Sequence, residues 1–118
     1  MLTENLFKNW RRFLQEGQQQ PYGYKIVAYE DGKLFSLQNP DLEYNIKVGS
    51  TETPENGMFL GTSKSFVEEY YAGLTDKQDA LLTYTYDLNH VIKGNANEEG
   101  EIKVASAKLI SVDLLQAL

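Results

Sequence analysis

Gly57-Met58-Phe59-Leu60-Gly61-Thr62-Ser63-Lys64-Ser65-Phe66-Val67-Glu68-Glu69-Tyr70-Tyr71-Ala72 changes its period halfway along. Residues 58–62 form a short apolar run of strand length behind the turn residues Pro54-Glu55-Asn56-Gly57. From Ser65 the spacing lengthens. Ser65 with Glu68 three residues on is a capping-box pattern, and Phe66, Val67, Tyr70 and Tyr71 recur at helical spacing as a buried stripe. Gly73 is the natural stop. With strands dominating and only two helices in the whole chain, no βαβ rhythm is present and a parallel sheet is not expected.

The flanks supply strands. Residues 24–30 and 33–38 surround Asp31-Gly32, a two-residue hairpin turn that requires positive φ. Asn39-Pro40 breaks the chain, and Leu42, Tyr44, Ile46 and Val48 alternate as a third strand over 42–48. Downstream, 80–86 places Leu82, Tyr84 and Tyr86 on one face and Leu81, Thr83 and Thr85 on the other. A short strand over 91–93, a polar loop over 95–99 and a long last strand over 102–112, kinked near Ala105-Ser106-Ala107, complete the set. The expected class is α+β, a mainly antiparallel twisted sheet of five to seven strands with an N-terminal helix and one helix after the fourth strand.

A chain of 118 residues with 42% hydrophobic and 24% charged residues suits one domain with one core. No apolar run reaches the ~18 residues of a membrane span, and Lys8, Arg11 and Arg12 interrupt any signal-peptide core, so a soluble, non-secreted protein is expected. Cysteine is absent, which removes disulfides, thiolate ligands and a thiol nucleophile. The lone His90, in Asp87-Leu88-Asn89-His90, reads as a solvated turn, and no metal site is expected.

Charge divides the chain. Residues 1–25 carry Lys8, Arg11, Arg12 and Lys25 against Glu4 and Glu16, whereas residues 26–118 carry seven lysines against fifteen acids. An acidic body argues against direct nucleic-acid binding and suits a basic partner or plain solubility. In the basic end, Thr3 is an N-cap, Leu6, Phe7, Trp10, Phe13 and Leu14 share one helical face, and Gly17 ends the helix. That face docks either on its own domain or on another protein. Residues 17–23, Gln-rich with Gly17, Pro21 and Gly23, read as a linker, leaving 24–118 as a single domain.

The first sixteen residues resemble the leaders of proteins packaged in the heads of large tailed bacteriophages, including marine phages. The likeness rests on Asn9-Trp10-Arg11-Arg12-Phe13-Leu14 and on Leu14-Gln15-Glu16-Gly17, which matches the preference of the head-maturation protease for cutting after a glutamate with Leu two residues before it. The resemblance implies cleavage after Glu16, docking of the leader on the head scaffold, packaging with the genome, and delivery to a host protein in the host cytoplasm.

The body resembles small mono-ADP-ribosyltransferases. Residues 24–27 stand where the family's first strand stands, Gly61-Thr62-Ser63 at its serine motif, and Glu99-Gly100-Glu101 at its Glu-x-Glu motif. If it is such an enzyme, the resemblance implies NAD as cofactor. Glu101 would hold the ribose hydroxyl, Glu99 would orient the acceptor, Ser63 would support the pocket and Lys25 would hold phosphate or ribose. The sequence departs from the family pattern at two places: Lys25 replaces an arginine and cannot make its bidentate contact, and Gly61 replaces the first serine. The structural alternatives are a helix cap for Thr62-Ser63 and a solvated hairpin loop for 95–101. Three functions follow: a degenerate transferase-like protein that binds host machinery or defence without a cofactor, an active mono-ADP-ribosyltransferase, and an acidic binding or structural head protein.

Overall fold

Asp31 and Gly32 take φ values of 52° and 78°, the left-handed pair that lets two residues reverse a strand. The hairpin they close joins β1 (Tyr22–Glu30) to β2 (Lys33–Phe35), paired Ala28↔Phe35 to Glu30↔Lys33. The computed structural model describes residues 21–115. The expected leader helix over 1–16, its docking face, the junction residues Leu14, Glu16 and Gly17, and linker residues 17–20 lie outside the described residues, while Tyr22 and Gly23, expected to end the linker, already pair with β6 as the start of β1.

Nine strands and one α-helix make up the described residues, with every strand pair antiparallel. After β2 come β3 (Glu43–Tyr44), β4 (Thr51–Glu52), β5 (Met58–Gly61), α1 (Lys64–Tyr71), β6 (Gln78–Thr85), β7 (Val91–Lys93), β8 (Glu101–Val104) and β9 (Ala107–Leu114). Their order is β4-β9-β6-β1-β5-β8-β7, with β2 and β3 on a branch from β1. The α+β class and the mostly antiparallel sheet agree with the sequence reading, but nine strands are described where five to seven were expected, so the helix follows the fifth strand rather than the fourth. None of the helices described is long and apolar enough to cross a membrane.

Three local expectations need correction. The alternation over 42–48 yields only the two-residue β3, and Leu42, Ile46 and Val48 are exposed. Backbone donors that a ladder would use are taken by side chains: Asp41 N donates to Asn39 Oδ1, Asn45 N to Glu52 Oε1 and Lys47 N to Asn45 Oδ1. The loop before β5 contributes a strand, β4, which pairs with β9 through Thr51↔Lys108 and Glu52↔Ala107. The long last strand is two, β8 and β9, separated by Ala105-Ser106 and paired with different neighbours.

That separation shapes the molecule. In a flat sheet β8 and β9 would lie four strand spacings apart, roughly 19 Å. Two intervening residues allow at most about 11 Å between Val104 and Ala107. The sheet therefore curls over itself, and its concave face closes on the main core: Val27, Leu34, Met58, Leu60, Leu82, Tyr84, Ile102, Val104 and Leu109 with their neighbours. The other face carries a smaller cluster of Ile26, Val67 and Leu81, where α1 packs on β1 and the end of β5 and Leu81 of β6 joins it.

The helix cap is Ser63, as the alternative reading of Thr62-Ser63 expected, rather than Ser65 of the capping-box pattern. Ser63 is extended (φ −139°, ψ 155°) and its hydroxyl accepts from Phe66 N at 3.1 Å, whereas Ser65 already sits in the first turn. Of the expected stripe, Val67 is buried and Phe66 and Tyr71 are half-buried. Tyr70 faces solvent, its ring 4.8 Å from that of Phe66.

Candidate functional site

β1 is shared unequally. One edge pairs with β6 over eight residues, Tyr22↔Thr85 through Tyr29↔Gln78. The other meets β5 at a single pair, Tyr24↔Gly61, and then leaves it for β2 at Ala28. Between those contacts the sheet splits, and a cleft of about 520 Å³ opens in the gap.

Lys25 lies at the split. Its Nζ donates to the Phe59 carbonyl at 3.0 Å and stands 5.6 Å from the centre of the Tyr44 ring. The side chain thus occupies the place where the β1–β5 ladder stops. Burial pushes the ammonium below the ordinary lysine range, opposed in part by the negative charge of Glu101.

Glu101 reaches the same cleft from β8, where it pairs with Gly61. Tyr71, in the last turn of α1, donates its hydroxyl to Glu101 Oε2 at 2.6 Å. That bond, followed by burial and the carboxylate's charge, raises the Tyr71 hydroxyl to about 12. Gly61 makes the approach possible. A Cβ there would stand 2.2 Å from Val67 Cγ1, so the helix seats directly on the strand end.

Ser63 and Glu99 lie beside the cleft, outside its lining. Ser63 Oγ, while capping α1, donates to Glu99 Oε1 at 3.1 Å, and Ser65 Oγ donates to the same oxygen at 3.4 Å. Thr62 fixes the adjoining loop: its N donates to the Gly100 carbonyl, its hydroxyl to the Glu98 carbonyl, and it accepts from Gly100 N. The loop over 95–101 is thus fastened to the strand–helix junction.

Of the four residues singled out for catalysis, then, Lys25 and Glu101 meet in one cleft, while Ser63 and Glu99 bind each other next to it. Tyr71 is the member that sequence reasoning missed as a functional group. Its signal was a hydroxyl-bearing aromatic one turn after Val67 on the stripe facing the sheet.

The rest of the lining is aromatic and acidic. Tyr24, Tyr44 and Phe59 flank the cleft, and Glu43 and Glu52 join Glu101 against the single lysine. Beneath that side, Tyr84 is fully buried with no hydrogen-bond partner for its hydroxyl among the described residues. Burial, then the charge of Glu52 and the proximity of Tyr44, push it well above the tyrosine range. His90 is exposed at the end of a 3-10 turn, Leu88–His90, and no group of acidic or histidine side chains among the described residues could hold a metal. No family model, curated protein or solved structure matches this chain.

Proposed function

We propose that this chain is a head-packaged bacteriophage protein whose body is a degenerate ADP-ribosyltransferase-like module that binds a basic host protein through the cleft. The observation that carries the binding reading is the lining: three carboxylates, Glu43, Glu52 and Glu101, against Lys25, whose ammonium is already tied to the Phe59 carbonyl. A dinucleotide's phosphates would enter a field of the wrong sign, with no guanidinium fork to receive them. Ser63 and Glu99, which a transferase would need at the nicotinamide and the acceptor, satisfy each other outside the cleft.

A second reading, an active mono-ADP-ribosyltransferase using NAD, is favoured by one feature. Glu101 lines the same cleft as Lys25 and accepts a hydrogen bond from Tyr71. The two readings separate in one experiment. Protein spanning residues 17–118 is incubated with host lysate, with and without labelled NAD, beside Glu101→Gln and a triple charge reversal of Glu43, Glu52 and Glu101. The binding reading expects salt-sensitive capture of a basic protein that the triple variant loses, with no transfer of label. Label transfer that Glu101→Gln abolishes would overturn it in favour of the enzyme.

The packaging half of the proposal rests on the resemblance of residues 1–16 and on Leu14-Gln15-Glu16. Protein recovered from mature phage particles is expected to begin at Gly17. A start at Met1 would remove cleavage from the account.

A further inference from the structure

We propose, resting on the binding role of the cleft, that the basic partner inserts an extended segment as a strand in the split between β1 and β5. Hydrogen-bond alternation identifies the open positions. Tyr86 N donates to the Pro21 carbonyl, and β1 then pairs with β6 without a shift from Tyr22↔Thr85 to Tyr29↔Gln78. Successive residues of an antiparallel strand send their backbone groups to opposite sides, so Gly23, Lys25 and Val27 bond β6 while Tyr24, Ile26 and Ala28 point the other way. On that side Tyr24 meets Gly61 and Ala28 meets Phe35. Between them no residue stands opposite Ile26, and its N–H and C=O have no partner among the described residues. Ile26 is 4% exposed, a position where open backbone groups call for a partner.

β5 presents the facing wall. Thr62 N donates to the Gly100 carbonyl, which sets Leu60 and Met58 to bond β8 and turns Gly61 and Phe59 toward β1. The Phe59 carbonyl accepts from Lys25 Nζ across the gap, and Phe59 N–H has no partner among the described residues. Ile26 and Phe59 both line the cleft. Two successive residues of an entering strand serve both walls, one turning its N–H and C=O to Ile26 and the next to Phe59. Lys25 holds the Phe59 carbonyl in the free protein and yields it to an N–H of that strand. The opening runs for three residues of β1, roughly 10 Å of strand.

Side chains specify what enters. An inserted strand directs successive side chains to opposite faces of the sheet. Glu101, bonded to Tyr71 of α1, stands on the helix face, and Glu52, paired with Ala107 of the main core, stands on the other. Two adjacent basic residues therefore each meet a carboxylate, whereas two separated by one residue crowd onto a single face. The charges also balance, since Glu43, Glu52 and Glu101 offset the Lys25 ammonium and two incoming cations.

The test adds the end-blocked peptide Thr-Val-Arg-Arg-Val-Thr to the full chain labelled with nitrogen-15. Overhauser contacts from the peptide should reach the amides of both Ile26 and Phe59. A copy N-methylated at the two arginine nitrogens should bind about tenfold more weakly, as the loss of one or two backbone hydrogen bonds implies. The isomer Thr-Arg-Val-Arg-Val-Thr, equal in composition and charge, should bind severalfold more weakly. Contacts confined to one wall, or equal binding of the N-methylated or isomeric peptide, overturn strand insertion while binding of a basic partner by charge stands. Absence of binding by either unmethylated peptide at low salt overturns both.

Discussion

Gly61→Ala probes the contact that joins the fold to the site. The added Cβ would lie 2.2 Å from Val67 Cγ1 and 3.1 Å from Phe66 Cδ1, where ordinary contact begins at 3.4 Å. Val67 therefore has to retreat by roughly 1 Å, and a β-branched side chain in a helix has essentially one rotamer with which to do so. It is 1% exposed and wedged against Ile26 and Leu81, so α1 must move with it. Overpacking of this kind costs about 1–3 kcal/mol. For a domain of this size that lowers the melting temperature by roughly 5–20 °C. Tyr71, one turn beyond Val67, should be carried away from Glu101, and its hydroxyl should then titrate below about 12, nearer the ordinary 10.0. Far-ultraviolet circular dichroism melts and ultraviolet alkaline titration of tyrosine read the two effects on the same samples. An alanine variant that melts within a degree of the parent, with Tyr71 still titrating at about 12, would refute the seating of the helix on Gly61.

Other substitutions separate the remaining interactions. Tyr71→Phe should be less stable than the parent below pH 10, and the gap should close as pH rises through about 12, because the raised Tyr71 value means the folded state holds that proton more tightly. Chemical denaturation at a series of pH values reads it, and a gap that widens with pH would contradict the assignment. Tyr84→Phe removes a buried hydroxyl that has no partner among the described residues, so its stability should be unchanged or higher by up to about 1 kcal/mol. A loss larger than that in urea unfolding would mean the hydroxyl is bonded. Ser63→Ala should cost about 0.5–2 kcal/mol through the lost cap, and Ser65→Ala less, which thermal melts of the two variants can rank.

The legible parts of the sequence were those governed by neighbours along the chain. Asp31-Gly32 specified its hairpin because only a positive-φ pair closes one in two residues. The alternation of Leu82, Tyr84 and Tyr86 against Leu81 specified which face of β6 meets the main core, since a strand places successive side chains on opposite sides. Phe66, Val67 and Tyr71 specified a helix, although its cap slid two residues to Ser63 because several serines there can each bond a free amide. Over 42–48 the same alternation misled, since Asn39 and Asn45 offered the backbone partners that competed with a ladder.

What only the tertiary structure decided was which strands become neighbours. Periodicity carries no information about pairing, so the sequence was silent on the curl that brings β8 to β9 through Ala105-Ser106 and on the split that opens beside Lys25. Lys25 and Phe59 are 34 residues apart in the chain, and Tyr71 and Glu101 are 30 apart. Each contact depends on register across several strands together, a collective outcome of core packing that no local pattern encodes. By itself the sequence determined the Asp31-Gly32 hairpin, the 58–61 strand and the helix that follows it, but neither β4 nor the break between β8 and β9. The sheet's closure then chose which of its lysines, tyrosines and glutamates would face one another across the cleft.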